Sequence, residues 1–326
     1  MDEKKIIDII EGIDIIFLEI LRDHTAGNPM NEDIKWTDLD KSQISELFKK
    51  RGYNISEYTV EQLFKKHNFK KRQAFKTETF KDVEGRDEQF LKIAALKEEF
   101  INSENDPIIS IDVKKKEQIG NFYRDGKMYT TERINVFDHD FASYGDGSII
   151  PHGIYDLKRN ETYMTIGTSK DTSEFWCDCF REWWEKHGKI NYPHAKCILV
   201  LVDGGGSNSS RSYVFKEDLQ KLANDIGVKI RIAHYPPYTS KYNPIEHRVF
   251  CHVTRACEGA VFSSVELVKE LINKTTTQTG LKVFASIKNK IYQTGRKVSD
   301  LFKEKMEIIF DSSLSKWNYV VVPQML

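Results

Sequence analysis

Three acidic residues occupy positions where a carboxylate would lower the stability of the fold, so each of them suggests a function. Asp112 interrupts the apolar run at 107–113. Asp203 directly follows a second apolar run at 197–202, and Glu246 opens a late helical segment. A buried carboxylate needs a partner, and the exit of an apolar strand lies at the rim where α/β sheets place their sites. If the three converge they repel one another, and Mg²⁺, which prefers oxygen ligands, relieves that repulsion.

Phosphoryl transfer is the chemistry that such a site favours. Two Mg²⁺ ions about 4 Å apart activate an attacking oxygen and stabilise the leaving one, and we expect Mn²⁺ to substitute for them. Each acid also has a structural interpretation: Asp203 precedes a glycine run and suits a turn, while Glu246 suits the positive end of a helix dipole. Asp112 is harder to explain in this way, because Asp is poor in strands. Together and in this order, the three predict a catalytic set of metal ligands.

Basic side chains accompany the acids. Alternation along a strand places Lys114 and Lys116 on the same face as Asp112, where they would contact phosphates, although a solvated charged edge explains them equally well. Lys241 and Arg248 flank the third acid and are predicted to bind DNA.

Other polar residues have local interpretations. Asn208 suits a cap for the helix after the second acid, and Asp171 or Thr172 suits the start of an aromatic-rich helix. For His234 and His247, hydrogen bonding within the loop before the third acid is favoured over positioning a water or a phosphate.

The elements around the acids follow the order of a ribonuclease-H-like sheet. Hydrophobic periodicity predicts the strand of the first acid, two hairpins, a helix, the strand of the second acid, a helix, a strand and the helix of the third acid. The predicted fold is an α/β ribonuclease-H-like mixed sheet flanked by helices. The boundaries are strands at 107–113, 119–136, 153–167, 197–203 and 228–234, helices at 172–187, 210–226, 244–257 and within 264–308, and a final strand from Trp317.

The N-terminal region is predicted to be all-α. Isoleucines spaced by three and four over 3–22 predict a helix, packed on its own domain or, alternatively, forming a dimer seam. Residues 25–29 break the chain. Two short amphipathic helices joined at Gly52, the second capped by Ser56, predict a helix-turn-helix within 40–72.

The helix-turn-helix is also basic. Residues 35–76 hold eleven Lys and Arg against five Asp and Glu, in a chain whose net charge is zero. The cluster at the end of the second helix would contact phosphates, and a solvated helical hairpin with a basic face is the alternative. The predicted DNA-contacting residues here are Gln62, Lys65, Lys66, Lys70, Lys71 and Arg72.

Composition excludes some classes of protein. The 326 residues carry 49 Lys+Arg and 49 Asp+Glu, so overall charge gives no support to nucleic-acid binding. No charge-free apolar run is long enough for a secretory core or a membrane span. Five cysteines without a CxxC pair indicate reduced thiols in a cytoplasmic protein. A zinc site that uses Cys177 and Cys179 is an alternative, although the spacing fits no common zinc pattern.

Length and pattern divide the chain into five segments. These are an N-terminal helix at 1–27, a helix-turn-helix DNA-binding region at 28–80, a connecting helix at 81–104, the ribonuclease-H-like catalytic domain at 105–262, and C-terminal helices with a final strand at 263–326.

Four motifs resemble those of the Rhodopirellula-type DDE transposases, the Azoarcus-type insertion-sequence family. They are Ser110-Ile-Asp-Val-Lys-Lys-Lys-Glu-Gln-Ile-Gly-Asn-Phe122, His152-Gly-Ile-Tyr-Asp156, Asp203-Gly-Gly-Gly-Ser-Asn208 and His234-Tyr-Pro-Pro-Tyr-Thr-Ser-Lys-Tyr-Asn-Pro-Ile-Glu-His247. The last block is also similar to the final catalytic segment of Tc/mariner-type enzymes. The resemblance extends from about Asn28 to Pro323.

The resemblance implies DNA transposition by a metal-binding triad, which falls on Asp112, Asp203 and Glu246. Water would attack the phosphodiester at the end of the element, and the freed 3′ hydroxyl would then attack target DNA. The implied partner is double-stranded DNA, both terminal repeats and target, with a homodimer on DNA left open and no membrane. A nuclease without strand transfer and an inactive DNA-binding relic are the alternatives. Family members have a longer region ahead of the Gly-Asn-Pro segment, so either this chain starts late or an earlier DNA-binding unit is missing.

Overall fold

The computed structural model describes residue 7 and residues 10–22, 25–28, 31–72 and 83–324. The chain divides into two compact units, Met1–Glu78 and Thr79–Leu326. None of the helices in these ranges is long and apolar enough to cross a bilayer.

Three helices form the core of the first unit: α1 (Ile13–Arg22), α2 (Lys41–Lys50) and α3 (Glu57–Lys66). Asp40 caps α2, and Ser56 caps α3 as predicted, each by accepting a hydrogen bond from the main-chain N–H three residues further on. The apolar faces of the three helices meet in one cluster, which supports the interpretation of α1 as a helix packed on its own domain. The buried residues of this cluster include Ile13, Phe17, Ile44, Phe48, Val60 and Leu63.

A small antiparallel sheet corrects the prediction that the N-terminal region is all-α. Strands β1 (Thr25–Asn28) and β2 (Asn31–Thr37) lie where the sequence predicted a chain break and a connection. Strands this short and polar leave no alternating apolar pattern in the sequence. Residues 1–6 and 8–9 of the predicted first helix lie outside the described residues.

A mixed sheet of nine strands, counted over the described residues, organises the second unit. Its strands are β3 (Ile108–Val113), β4 (Glu117–Ile119), β5 (Gly147–Asp156), β6 (Glu161–Gly167), β7 (Cys197–Val202), β8 (Lys229–His234), β9 (Lys282–Lys288), β10 (Ile308–Phe310) and β11 (Asn318–Val321). The order across the sheet is β10-β11-β8-β7-β3-β5-β6-β9, and β4 pairs with β5. Strands β3, β7 and β8 are parallel, whereas β5 is antiparallel to β3 and β6. The predicted ribonuclease-H-like mixed sheet is confirmed.

Helices cover both faces of this sheet. They are α4 (Arg86–Asn102), α5 (Ser173–Trp183), α6 (Tyr213–Ile226), α7 (Cys251–Ala256), α8 (Val265–Asn273) and α9 (Asp300–Lys305), with π-helical turns at Trp184–Gly188 after α5 and Glu246–Phe250 before α7. Helices α5 and α6 bury the face that carries Ile109 and Ile111. Helix α4 buries the opposite face, which carries Ile108. Because side chains alternate along β3, Ser110 and Asp112 belong to the α4 face.

Two predicted elements differ from the structure. The hairpin predicted at 119–136 is absent from that described range, where the chain beyond β4 is irregular and ring contacts link Phe122 with Phe137. The helices predicted within 264–308 are interrupted by β9, which pairs in parallel with β6. As an edge strand β9 is mostly half-exposed, so its sequence lacks the apolar run of a central strand. The five-segment division stays a prediction, but β9 and β11 extend the catalytic sheet into the last segment.

His152 is enclosed in the middle of β5 with no exposed surface. Neither ring nitrogen has a hydrogen-bond partner among the described residues. The rings of Phe175 and Trp176 face it edge-on, with centroids 5.6 and 6.0 Å away. Burial lowers the pKa of His152 from 6.5 to about 3, because the charged ring loses its hydration there. The folded protein therefore keeps this ring neutral.

We expect acid to destabilise the protein through His152. In the unfolded chain His152 binds a proton below pH 6.5, its ordinary pKa. In the folded chain it binds one only below about pH 3. The free energy of unfolding should therefore fall as pH drops through this window, by up to about 1.4 kcal/mol per pH unit. His152→Leu should flatten the dependence in urea titrations between about pH 7 and about pH 4.5. Parallel stability curves for the two proteins would contradict this expectation.

Candidate active site

The three predicted catalytic acids come together where β3 and β7 end. These strands are parallel and pair as far as Ile111 with Val202, so Asp112 and Asp203, the next residues, emerge side by side. Glu246 begins the π-helical turn that precedes α7 and hydrogen-bonds through its side chain to Asp112. Strand topology, rather than nearness in sequence, creates the site.

The environment of Asp112 favours a proton on its carboxyl group. Asp112 is only 7% exposed. Burial first, then the charges of Asp203 and Glu246, raise its pKa from 3.8 to about 8. The pKa values of Asp203 and Glu246 are raised too, again chiefly by burial. Because Asp112 and Glu246 share a hydrogen bond, their protons are bound and released as a coupled pair.

Without a metal, the acids are not arranged as a finished coordination site. In residues 83–324 and the other described ranges, no three His, Cys, Asp or Glu side chains stand in place as metal ligands. The oxygen donors, burial and mutual repulsion of the acids fit a hard divalent cation. Its entry would displace the shared proton, as metal binding to protonated ligands does.

The loop after β7 holds the Asp203 carboxylate. Its Oδ1 accepts a hydrogen bond from the main-chain N–H of Gly205 at 3.3 Å. The cap of α6 is Ser212, so the predicted capping role of Asn208 is wrong. Asn208 is buried and lines the cleft instead, where its side chain acts to lower the pKa of Asp203 against the effect of burial.

Ser110 and Asn243 connect the strand of the first acid to the loop of the third. Both are fully buried. Ser110 Oγ donates to Asn243 Oδ1 at 2.5 Å and accepts from the N–H of Ile245 at 3.0 Å. Asn243 Nδ2 donates to the carbonyl of Ile111 at 3.1 Å, and the Asn243 carbonyl accepts from the N–H of Glu246 at 3.0 Å. The network fixes the spacing between the first and third acids.

Gly153 lets the segment of the third acid approach the sheet closely. It lies opposite Asp112 in the pairing of β3 with β5. A Cβ atom at this position would lie 2.7 Å from Ile245 Cδ1, 2.9 Å from Phe250 Cε1 and 3.0 Å from Met164 Sδ. A larger residue would push the π-helical turn away, so this glycine has a packing reason tied to the site.

Asp171 is a fourth acid at the site, and the sequence did not predict it there. It lines the same open cleft as Asp112 and Asp203, and its charge adds to the burial that raises the pKa of Asp203. Thr172 rather than Asp171 caps α5. One carboxylate oxygen of Asp171 is buried without a hydrogen-bond partner among the described residues. In the sequence, the position of Asp171 directly before a helix indicates only a helix cap.

The basic residues near the acids occupy different positions. Lys114 and Lys116 line the cleft, although β3 ends at Val113, so a loop rather than strand alternation brings them there. Lys114 also forms an ion pair with Glu117 at 2.7 Å. Two further predicted residues, Lys241 and Arg248, are exposed on either side of the third acid.

The predicted DNA-contacting residues of the first unit fall into two groups. Lys65 pairs with Glu61 at 2.9 Å, and Lys66 pairs with an aspartate of α1 at 2.5 Å. Gln62 is half-buried in α3, whereas residues 70–72 are exposed and form no ion pair with the described residues. Unpaired positive charge therefore lies just beyond α3.

The zinc alternative finds no support in the described residues, which hold no three-ligand metal group. Cys177 and Cys179 are buried in α5, and burial raises the pKa of both thiols. They are packing residues of the core on that face of the sheet.

The chain matches one family model over nearly its whole length: residues 17–323 match the family described as Rhodopirellula transposase DDE domain. None of the curated proteins matches significantly. Among solved structures, the Mos1 transposase paired-end complex with left transposon end has 13% identity and a TM-score of 0.43, covering 80% of this chain and 70% of that chain. The Mos1 mariner paired end complex with Mn gives the same values. The Mos1 strand transfer complex has 10% identity and a TM-score of 0.41, with 80% and 69% covered.

The family match includes all three segments that bring the acids together. A family of this kind acts on DNA and uses a divalent metal ion. This chain belongs to the Rhodopirellula transposase DDE domain family and is a DDE-type DNA transposase.

Proposed function

We propose that this transposase hydrolyses phosphodiester bonds at the ends of its element and then joins the freed ends to target DNA. Asp112, Asp203 and Glu246 would hold two Mg²⁺ ions, for which Mn²⁺ can substitute. The observation that carries the proposal is the convergence of three carboxyl groups from separate segments: burial raises the pKa of all three, and the charge of Asp203 adds to this at both Asp112 and Glu246. Such a set stores a repulsion that divalent cations relieve.

The proposed reaction needs no protein nucleophile. Bound metal ions supply activation of the attacking oxygen and stabilise the leaving oxygen. In the first step water adds to phosphorus as the bond to the 3′ oxygen breaks, which leaves a 3′ hydroxyl and a 5′ phosphate. In the second step that hydroxyl adds to a target phosphorus and expels the 3′ oxygen there. The three acids would hold the metal ions and orient them toward the DNA. Lys114 and Lys116 lie in the cleft, where they would contact the phosphates.

The partner we propose is double-stranded DNA, both the terminal repeats and the target. The exposed cations at 70–72, beyond α3, support a phosphate-contacting role for the first unit. Joining two ends to one target calls for two active sites, so we expect a homodimer on DNA. Five free cysteines support a reducing, cytoplasmic setting.

Removing any one of the triad charges should abolish the chemistry. We expect Asp112→Asn, Asp203→Asn and Glu246→Gln each to lower the rate of cleavage of end DNA by more than about a hundredfold. This is a larger loss than is typical when a residue that does not itself bind the metal is replaced. DNA binding should survive. In the metal-free protein Asp203→Asn should also raise the unfolding temperature, because it removes the charge that raises the pKa of both Asp112 and Glu246. Cleavage with Mg²⁺ and thermal denaturation without metal measure the two effects.

Asp156→Asn is the matched control for the triad variants. Asp156 is buried even more completely than Asp112, but it accepts a hydrogen bond from the Tyr192 hydroxyl at 2.8 Å. Its conversion should lower stability and leave cleavage near the wild-type rate where the protein is folded. A folded triad variant that cut end DNA at nearly the wild-type rate would overturn the assignment.

The cations beyond α3 should set the salt dependence of DNA binding. Replacing Lys70, Lys71 and Arg72 by Ala should weaken binding to all sequences and flatten the slope of affinity against salt by about one ion for each lost phosphate contact. Lys65→Ala is the control, since Lys65 is already paired with Glu61. Gln62→Ala should instead reduce sequence preference. An unchanged slope in the triple variant would show that these cations are only a solvated surface.

Asn243→Ala should separate the first acid from the third. It leaves the Ser110 hydroxyl and the Ile111 carbonyl without their partner in the core, at a cost of about 2 kcal/mol in stability. We expect cleavage to fall by more than about tenfold even where the variant is fully folded. Ser110→Ala, in the same network, should reproduce the defect. Wild-type cleavage by a destabilised Asn243→Ala protein would limit the network to a role in folding.

A further inference from the structure

His234 ends β8 beside the second acid and is fully buried. Its Nδ1 lies 2.9 Å from the main-chain carbonyl oxygen of Asp203, and its Nε2 lies 3.1 Å from the hydroxyl of Tyr319. A carbonyl oxygen only accepts hydrogen bonds, so Nδ1 carries a proton and donates it to Asp203. Burial is the main cause that lowers the pKa of His234 to about 4. The neutral ring therefore accepts the Tyr319 hydroxyl proton at Nε2.

The surroundings of His234 hold its ring and backbone in place. Strand β11 pairs with β8, and the His234 N–H donates to the carbonyl of Trp317 at 2.9 Å. From α4, the side chain of Gln89 donates to the His234 carbonyl at 2.8 Å. Gln89 itself is buried and accepts a hydrogen bond from Asn318 of β11. Two distant parts of the chain thus converge on one histidine.

The bond from His234 reaches Asp203 where the backbone has little other support. Strand β7 ends one residue earlier, and residues 204–206 are glycines, which are conformationally permissive. The direction of the Asp203 carboxylate depends on the orientation of its own peptide unit. The hydrogen bond from the imidazole limits that orientation, and the Asp203 side chain in turn accepts a hydrogen bond from the N–H of Gly205.

We propose that His234 is a positioning residue for the second acid: in its Nδ1–H form it donates to the Asp203 carbonyl and fixes the Asp203 main chain so that the carboxylate points into the cleft. This inference rests on the proposed function, in which Asp203 is a metal ligand. Hydrogen bonds from residues outside the ligand sphere typically change metal affinity by 10–100-fold, and here the bond acts through the backbone of the ligand.

Two amide variants separate the role of Nδ1 from the rest of the ring. In His234→Asn the side-chain amide nitrogen can occupy the place of Nδ1 and donate to the Asp203 carbonyl. In His234→Gln the amide extends toward the place of Nε2 and reaches Tyr319 instead. Mn²⁺ affinity of the full chain, followed by the electron paramagnetic resonance of free Mn²⁺, should fall by about 10–100-fold in His234→Gln. It should stay close to the wild-type value in His234→Asn.

Tyr319→Phe and His152→Leu complete the set. Without the tyrosine hydroxyl the His234 ring loses its hydrogen bond at Nε2, so Mn²⁺ affinity should fall, while nitrogen-15 spectra should still show the proton on Nδ1. His152→Leu, at the other fully buried histidine of the sheet, should change stability and leave Mn²⁺ affinity as it is. Thermal denaturation establishes that each variant is folded.

The outcomes separate this inference from the proposed function. If the wild-type chain binds no Mn²⁺, the proposed metal-dependent function fails. If it binds Mn²⁺ and the Asn and Gln variants bind it equally well, the positioning role of His234 is overturned and the proposed function stands. A wild-type spectrum with the proton on Nε2 would also overturn the role of His234, with or without metal.

Discussion

Repulsion among carboxyl groups forced into one cleft is the constraint around which the second unit is organised. Asp112 is almost fully buried, and burial first, then the charges of Asp203 and Glu246, raise its pKa. The metal-free protein relieves part of the repulsion by a hydrogen bond between Asp112 and Glu246. The same repulsion supplies affinity for divalent cations, whose binding would return stability to the folded state. The same repulsion would therefore both favour metal binding and lower the free energy of unfolding of the metal-free protein.

Several contacts resist this repulsion, and each acts within a few residues of an acid. Ser110 and Asn243 connect the first acid to the third, and Gly153 leaves room for that approach. On the other side, His234 contacts the carbonyl of Asp203 and is itself held by Tyr319. Because β11 supplies that tyrosine, the last strand of the sheet contributes to the geometry of the second acid. The extended sheet is thus part of the active site's support.

The central sheet is predicted well from the sequence, and the acids of the proposed triad also leave strong signals. A fully apolar strand that ends in Asp203 reports burial on both faces, and an acid inside the apolar strand of Asp112 has few structural explanations. Edge strand β9 leaves no such signal, since its half-exposed residues lack the apolar run of a central strand. Asp171 and Asn208 were given helix-cap roles because a cap and a site residue look alike in sequence. The structure distinguishes them, because Thr172 and Ser212 cap the helices while Asp171 and Asn208 line the cleft.

The most direct test of the account is a crystal structure of the protein grown with Mn²⁺, read in an anomalous difference map. The account predicts two peaks in the cleft about 4 Å apart, with ligand oxygens from Asp112, Asp203 and Glu246, and with the hydrogen bond between Asp112 and Glu246 broken. Mn²⁺ bound elsewhere, or a cleft in which that hydrogen bond persists beside saturating Mn²⁺, would contradict it.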